Sequence, residues 1–210
     1  MRANFLPYLE RFKRLYVRLF QHKDEEAYKS WRRVNFSAPS PQHVKEKILI
    51  LNSIPNATWV ETGTYLGDTT IVLSKNALKV ITIEPSEKQY EFVSKRLLDL
   101  KNVKIVNSTS EECIEGILSD LSGPTCFWLD GHYSGGDTFK GISDTPIIVE
   151  LDSISKYLEK NREVVIFIDD FRLFVDSWNT GYPSQNYLVE WANSHKLTWT
   201  VEQDIFIARI

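Results

Sequence analysis

Residues 58–70 read Thr58-Trp59-Val60-Glu61-Thr62-Gly63-Thr64-Tyr65-Leu66-Gly67-Asp68-Thr69-Thr70. A short apolar run meets a turn punctuated by two glycines, and an amphipathic stretch of helical length, 68–76, begins at once. Gly63 and Gly67 permit a tight turn and close approach of backbones, and the following helix offers unpaired amides to a carboxylate. The unit strand–turn–helix then recurs along the chain. Apolar runs stand at 58–61, 79–84, 103–107, 125–130 and 164–169, with amphipathic segments at 68–76, 86–100, 110–119 and 145–160.

Strands alternating with helices predict an α/β domain with a Rossmann-like, doubly wound parallel sheet and helices on both faces. Upstream, Ser40 suits a helix cap and Pro41 a first helical residue, so a helix is expected over 41–52. The tail departs from the alternation. Segments 197–202 and 205–210 are joined only by Gln203-Asp204, too short for a helical crossover, so they pair antiparallel. The expected sheet is five parallel strands plus a C-terminal antiparallel hairpin, seven strands in all. Residues 41–210 form this domain, and residues 1–40 an N-terminal helical arm.

Within the arm, Phe5, Leu9, Phe12, Tyr16 and Leu19 recur at spacings of three and four, one face of a helix. Arg2, Arg11, Lys13, Arg14 and Arg18 decorate its other sides. Three uses stand open: docking on the domain or on a second subunit, lying on an anionic membrane surface, or closing over a substrate. A homodimer through this helix is the first expectation.

The chain has 210 residues, 42% hydrophobic and 25% charged, enough for one domain with a large core. Its net charge of −3 gives no basic field for nucleic acid. No run reaches the ~18 apolar residues of a membrane span. Glu10, Arg11, Lys13 and Arg14 interrupt any signal-peptide core, so a cytoplasmic location is expected. Cys113 and Cys126 fit two buried thiols in a reducing compartment, with no metal-ligand spacing.

Ligands of doubly wound sheets bind at the carboxyl ends of the strands, near the topological switch point. The first strand ends in the Glu61–Gly67 turn. The second ends in Glu84, whose carboxylate suits a ribose diol. The third ends in Asn107-Ser108-Thr109-Ser110, small and polar, suited to an adenine edge. Tyr65 stands where the dinucleotide fingerprint has its second glycine, so a pyrophosphate would meet a side chain. A ligand without phosphate needs no glycine there.

Over residues 55–210 the chain resembles the class I S-adenosylmethionine-dependent methyltransferases, through the Glu-x-Gly-x-x-x-Gly turn, the acidic second-strand end and the terminal hairpin. By position the resemblance implies S-adenosylmethionine as cofactor, with Glu61, Gly63 and Gly67 around its methionine part and Glu84 on the ribose. Thr69 would lie near the carboxylate and Ser110 near the adenine.

The fourth strand runs into Asp130-Gly131-His132-Tyr133-Ser134-Gly135-Gly136-Asp137-Thr138, and the fifth ends Asp169-Asp170-Phe171-Arg172. Adjacent strand ends bring Asp130, Asp169 and Asp170 together, and three packed carboxylates repel unless some protonate or a cation joins them. A hard divalent ion, Mg²⁺, would relieve the conflict through oxygen ligands. Helix capping or pairing with Arg172 is the alternative. The triad resembles the metal site of catechol-type, caffeoyl-coenzyme A and, more closely, macrocin-type sugar O-methyltransferases. The phrases Trp128–Thr138 and Ile168–Arg172 also resemble bacterial methyltransferases encoded near surface-polysaccharide genes.

Those catechol-type enzymes carry a lysine three residues past the first metal aspartate, where this chain has Tyr133. His132 is then the nearest candidate base, against an ordinary loop histidine. The 134–138 loop either touches the acceptor or merely connects. Trp178, Tyr182 and Tyr187 offer aromatic faces to a sugar or ring, or else pack the core. His22, His43 and His195 are expected in helices or at their ends, at the surface and without partners.

The resulting expectation is a Mg²⁺-assisted O-methyltransferase acting on a small hydroxylated acceptor, a sugar before a catechol. Asp130 would serve both cofactor and metal, and Asp130 and His132 the chemistry. A nicotinamide-dependent oxidoreductase and a non-catalytic binding protein of the same fold are the alternatives.

Overall fold

The structure is a computed structural model that describes residues 25–34, 39–131, 145–177 and 181–210. His22, His132, Tyr133, the 134–138 loop, Trp178 and the amphipathic face of Phe5–Leu19 lie outside the described residues.

The order of elements follows the expected alternation. Helix α1 (Gln42–Asn52) precedes β1 (Thr58–Thr62), α2 (Asp68–Ser74), β2 (Lys79–Ile83), α3 (Glu87–Arg96) and β3 (Val103–Val106). Then come α4 (Ser110–Ser119), β4 (Thr125–Leu129), α5 (Ile147–Leu158) and β5 (Val164–Ile168). A 3₁₀ turn (Phe171–Leu173), β6 (Val175–Ser177), β7 (Tyr182–Ser184), α6 (Gln185–Ser194), β8 (Thr198–Glu202) and β9 (Ile205–Arg209) complete the chain.

The main sheet has seven strands in the order β3-β2-β1-β4-β5-β9-β8, and β6 and β7 form a separate ribbon. Strands β1 to β5 pair in parallel, β9 runs antiparallel to β5, and β8 antiparallel to β9. The hairpin turn works as read, since Gln203 and Asp204 both take positive φ, 50° and 73°. This left-handed pair matches the twist of a two-residue hairpin.

Two cores flank the sheet, and side-chain alternation assigns each residue to one. Val60, Phe127, Leu129, Ile166 and Ile168 face α4, α5 and α6. Trp59, Cys126, Trp128, Val165 and Phe167 face α1 and α2, with Trp59 stacked on Phe167 at 5.5 Å. Central parallel strands covered on both faces read as continuous apolar runs, as here.

Two local details, the Ser40 cap and the His195 partner, differ from the sequence reading. Pro41 is the cap residue of α1, and the Ser40 hydroxyl is buried without a hydrogen bond, so Ser40 does not cap. Helix α6 ends at His195, in keeping with the reading of that residue at a helix end. Its signal was available: Ser184 caps it by accepting from the Tyr187 amide at 3.2 Å, and Leu188, Trp191 and Ala192 form a three-four apolar stripe. His195, expected without partners, meets the Trp191 carbonyl through Nδ1 at 2.8 Å.

Both cysteines are free, with Cys126 buried and Cys113 only half-buried. Residues 25–33 are helical, Trp31 is buried, and Tyr28 shares a hydrogen bond with Gln203 at 3.2 Å, so this stretch docks on the hairpin turn. Among the described residues no helix is long and apolar enough to cross a membrane.

Candidate functional site

The order reverses between β1 and β4, which puts the switch point at their carboxyl ends. Amide-to-carbonyl bonds zip these ends together: Asp130 donates to Thr62 at 3.1 Å and Asp169 to Leu129 at 3.1 Å. On the other side the Gly63 and Thr64 amides both donate to the Ile83 carbonyl, at 3.1 and 3.3 Å.

Gly63 has φ +84°, and a Cβ there would stand 2.5 Å from the Asp130 carbonyl oxygen. Only glycine fits such a crossing. Gly67 (φ +82°) caps α2 and packs against Leu97, where a Cβ would come within 3.2 Å. Tyr65 lies between them at φ +46°, 50% exposed. The turn is pinned from α3, since Arg96 donates to the Leu66 carbonyl and, at 2.6 Å, to Asp68.

Glu84 is buried and clamps two turns at once. One carboxylate oxygen accepts from the Tyr65 amide at 2.8 Å and the other from the Ser86 amide at 2.9 Å. Burial raises its pKa, and these two amides partly offset the rise. Each oxygen keeps a second lone pair.

Glu61 is fully buried below the turn, where it accepts from Thr70 at 2.6 Å. Burial lifts its pKa to about 7, opposed by the hydroxyls of Thr70 and Thr82. Thr69 accepts from Gln42 at 3.0 Å, and Ser110 is the buried first residue of α4.

A further carboxyl, absent from the sequence reading, lies beside them. Glu150 on α5 is 1% exposed and stands by Gly131, where a Cβ would be 3.4 Å from its Oε1. Burial raises it to about 7 as well, with the Ser110 and Thr62 hydroxyls lowering it in part. Amphipathic periodicity gives no reason to single out one acidic residue of a helix.

The aspartates do gather, but with a cation already among them. Lys45 of α1 forms an ion pair with Asp169 and lies 3.8 Å from Asp170 Oδ1. Burial opposes the Lys45 charge, yet Asp169, Asp130 and Asp170 outweigh it and hold its pKa above the ordinary lysine value. Asp170, itself left-handed at φ 54°, accepts from Arg172 at 2.6 Å, and Arg172 also pairs with Asp204.

The carboxylates expected to hold a metal, Asp130, Asp169 and Asp170, thus have Lys45 and Arg172 as neighbours. Among the described residues no group of three ligands is arranged to hold an ion. The Lys45 ammonium engages Asp169 Oδ2, and the Arg172 guanidinium engages Asp170 Oδ1. Of the aromatic candidates, Tyr182 packs into the core edge-on to Phe174 at 5.2 Å, and Tyr187 lies half-buried against the same cluster.

The fold has solved counterparts of low sequence identity. A structure designated a caffeoyl-CoA O-methyltransferase from Staphylococcus aureus superposes with a TM-score of 0.57 at 13% identity, covering 93% of this chain and 97% of that one. Precorrin-6y C5,15-methyltransferase from Geobacter metallireducens gives 0.55 at 16% identity, covering 80% and 89%. A structure designated an rRNA methylase from Clostridium thermocellum gives 0.55 at 12% identity, covering 82% and 97%. The chain shares the fold of these three proteins. No protein-family model and no curated protein sequence matches it.

Proposed function

We propose that the protein transfers a methyl group from S-adenosylmethionine to a hydroxyl oxygen of a small polyhydroxylated acceptor, a sugar in preference to a catechol. The observation that carries this reading is the convergence of Gly63, Glu84 and Asp130 at the carboxyl ends of β1, β2 and β4 around the switch point. The three fold counterparts are named for methyl transfer to unlike acceptors, which supports the shared chemistry and leaves the acceptor to be argued. A net charge of −3 speaks against RNA.

In this reading the turn from Glu61 to Gly67 wraps the methionine part, with Thr69 toward its carboxylate. The free lone pairs of Glu84 take the ribose hydroxyls, and Ser110 lies by the adenine. The cofactor supplies an electrophilic methyl group on a sulfonium. Asp130 would orient the acceptor hydroxyl toward the cofactor's methyl group, and His132 would collect the hydroxyl proton. Mg²⁺ has no step here, because Lys45 and Arg172 already engage Asp169 and Asp170. Tyr65 obstructs a pyrophosphate, which disfavours a nicotinamide cofactor.

The test is turnover with labelled S-adenosylmethionine against a panel of sugars, catechols and RNA oligonucleotides. Label in a sugar, with S-adenosylhomocysteine released in equal amount, supports the reading. Hydride transfer to NAD in place of methyl transfer overturns it. Light scattering with and without residues 1–40 tests the dimer expected through the arm.

A further inference from the structure

We propose that Lys45 is the built-in cation of the strand-end aspartate cluster, standing where a divalent metal ion would otherwise bind, so that removing its ammonium opens a divalent-cation site.

Four carboxylates meet at this rim: Asp130, Asp169 and Asp170 from the ends of β4 and β5, and Asp204 from the hairpin turn. Arg172 lies between Asp170 and Asp204. Lys45 serves the other side, in contact with Asp169 Oδ2 and 3.8 Å from Asp170 Oδ1. Its side chain is 12% exposed and that of Asp169 is sealed from solvent.

A buried carboxyl must either protonate or meet a counter-ion; burial and Asp130 push Asp169 toward the protonated form, and the Lys45 ammonium in contact with it opposes them. The ammonium answers the charge but not the full ligand capacity, because Asp169 Oδ1 is buried with no hydrogen-bond partner. A lysine carries one charge on a compact head. A divalent oxygen-seeking ion would fill the same volume with twice the charge and a higher coordination number. The aspartate cluster is thus closed by a lysine reaching from α1, 124 residues away in sequence.

The proposal does not depend on which reaction the protein performs, and its test uses no turnover. Lys45→Ala removes the ammonium and leaves room for an ion. Mn²⁺ binding is followed by electron paramagnetic resonance on the full chain, with melting temperature in EDTA and in Mn²⁺ alongside. The wild type is expected to bind no stoichiometric Mn²⁺ and to melt alike in both. The Lys45→Ala chain is expected to melt lower in EDTA, to bind Mn²⁺, and to gain about 5 °C or more from it. Adding Asp169→Asn to Lys45→Ala should abolish that gain. Stoichiometric Mn²⁺ in the wild type, lost in Asp169→Asn, would overturn the proposal. So would a Lys45→Ala chain that ignores Mn²⁺, whether it folds without the ion or fails to fold with it.

Discussion

The α-carbon of Gly63 faces the carbonyl oxygen of Asp130 so closely that a Cβ would stand 2.5 Å from it. This crossing joins the first turn of the sheet to the end of β4 at the switch point, and backbone on both sides leaves nothing that can yield. Gly63→Ala therefore combines a strained φ of +84° with a clash. A loss of about 3 kcal/mol or more is expected. Urea unfolding of the variant checks it, and a stability within 1 kcal/mol of wild type (roughly the scatter of a surface substitution) would contradict the geometry.

Glu84 should matter twice, for the fold and for the ligand. Glu84→Ala leaves the amides of Tyr65 and Ser86 without their acceptors, at a cost of about 2 kcal/mol in stability. It should also weaken S-adenosylhomocysteine binding by about 2–3 kcal/mol, through lost charge-assisted bonds. Glu84→Gln keeps one acceptor oxygen and should fall between. Thermal melts and calorimetry on the same samples separate the two losses.

The buried carboxyls set a pH dependence whose sign is fixed. Burial lifts Glu61 and Glu150 to about 7 from an ordinary 4.5. Between those values the folded chain holds protons that the unfolded chain has released. Stability thus falls as pH rises from about 4.5 to about 7 and stays low above it. Each carboxyl contributes on the order of 3 kcal/mol to that fall. Glu61→Gln and Glu150→Gln should each flatten the slope measured by urea unfolding at pH 5, 6, 7 and 8. An unchanged slope in both would contradict the burial argument.

Arg172 offers a separable test of the rim. It holds Asp170 and Asp204, whose side chains are nearly sealed from solvent. Arg172→Met should cost about 3–5 kcal/mol, because buried Asp204 loses its paired cation and Asp170 keeps only the more distant Lys45. Asp204→Asn in the Arg172→Met background should recover part of it, as a double-mutant cycle in chemical denaturation would read.

Much of this was legible in the sequence where a local rule governs. The strand–helix alternation, the hairpin over Gln203-Asp204 and the glycines at 63 and 67 each follow from short-range sterics or periodicity. The convergence of Glu84 on the Tyr65 turn follows once the strand order is known. What escaped is long-range. Lys45 reaches Asp169 across the chain from a helix whose sequence shows only an ordinary charged position. Asp130, Asp169 and Asp170 were read as one cluster, but with Arg172 as their only side-chain cation.

The central claim is that the turn from Gly63 to Gly67 and the Glu84 carboxylate form a site for S-adenosylmethionine. Calorimetric titration of the wild-type chain with S-adenosylhomocysteine, run beside an identical titration with NAD, tests it most directly. The expected result is saturable micromolar binding of S-adenosylhomocysteine, sharply weakened in Glu84→Ala, and no heat from NAD. Binding of NAD without S-adenosylhomocysteine, or of neither, would contradict the account.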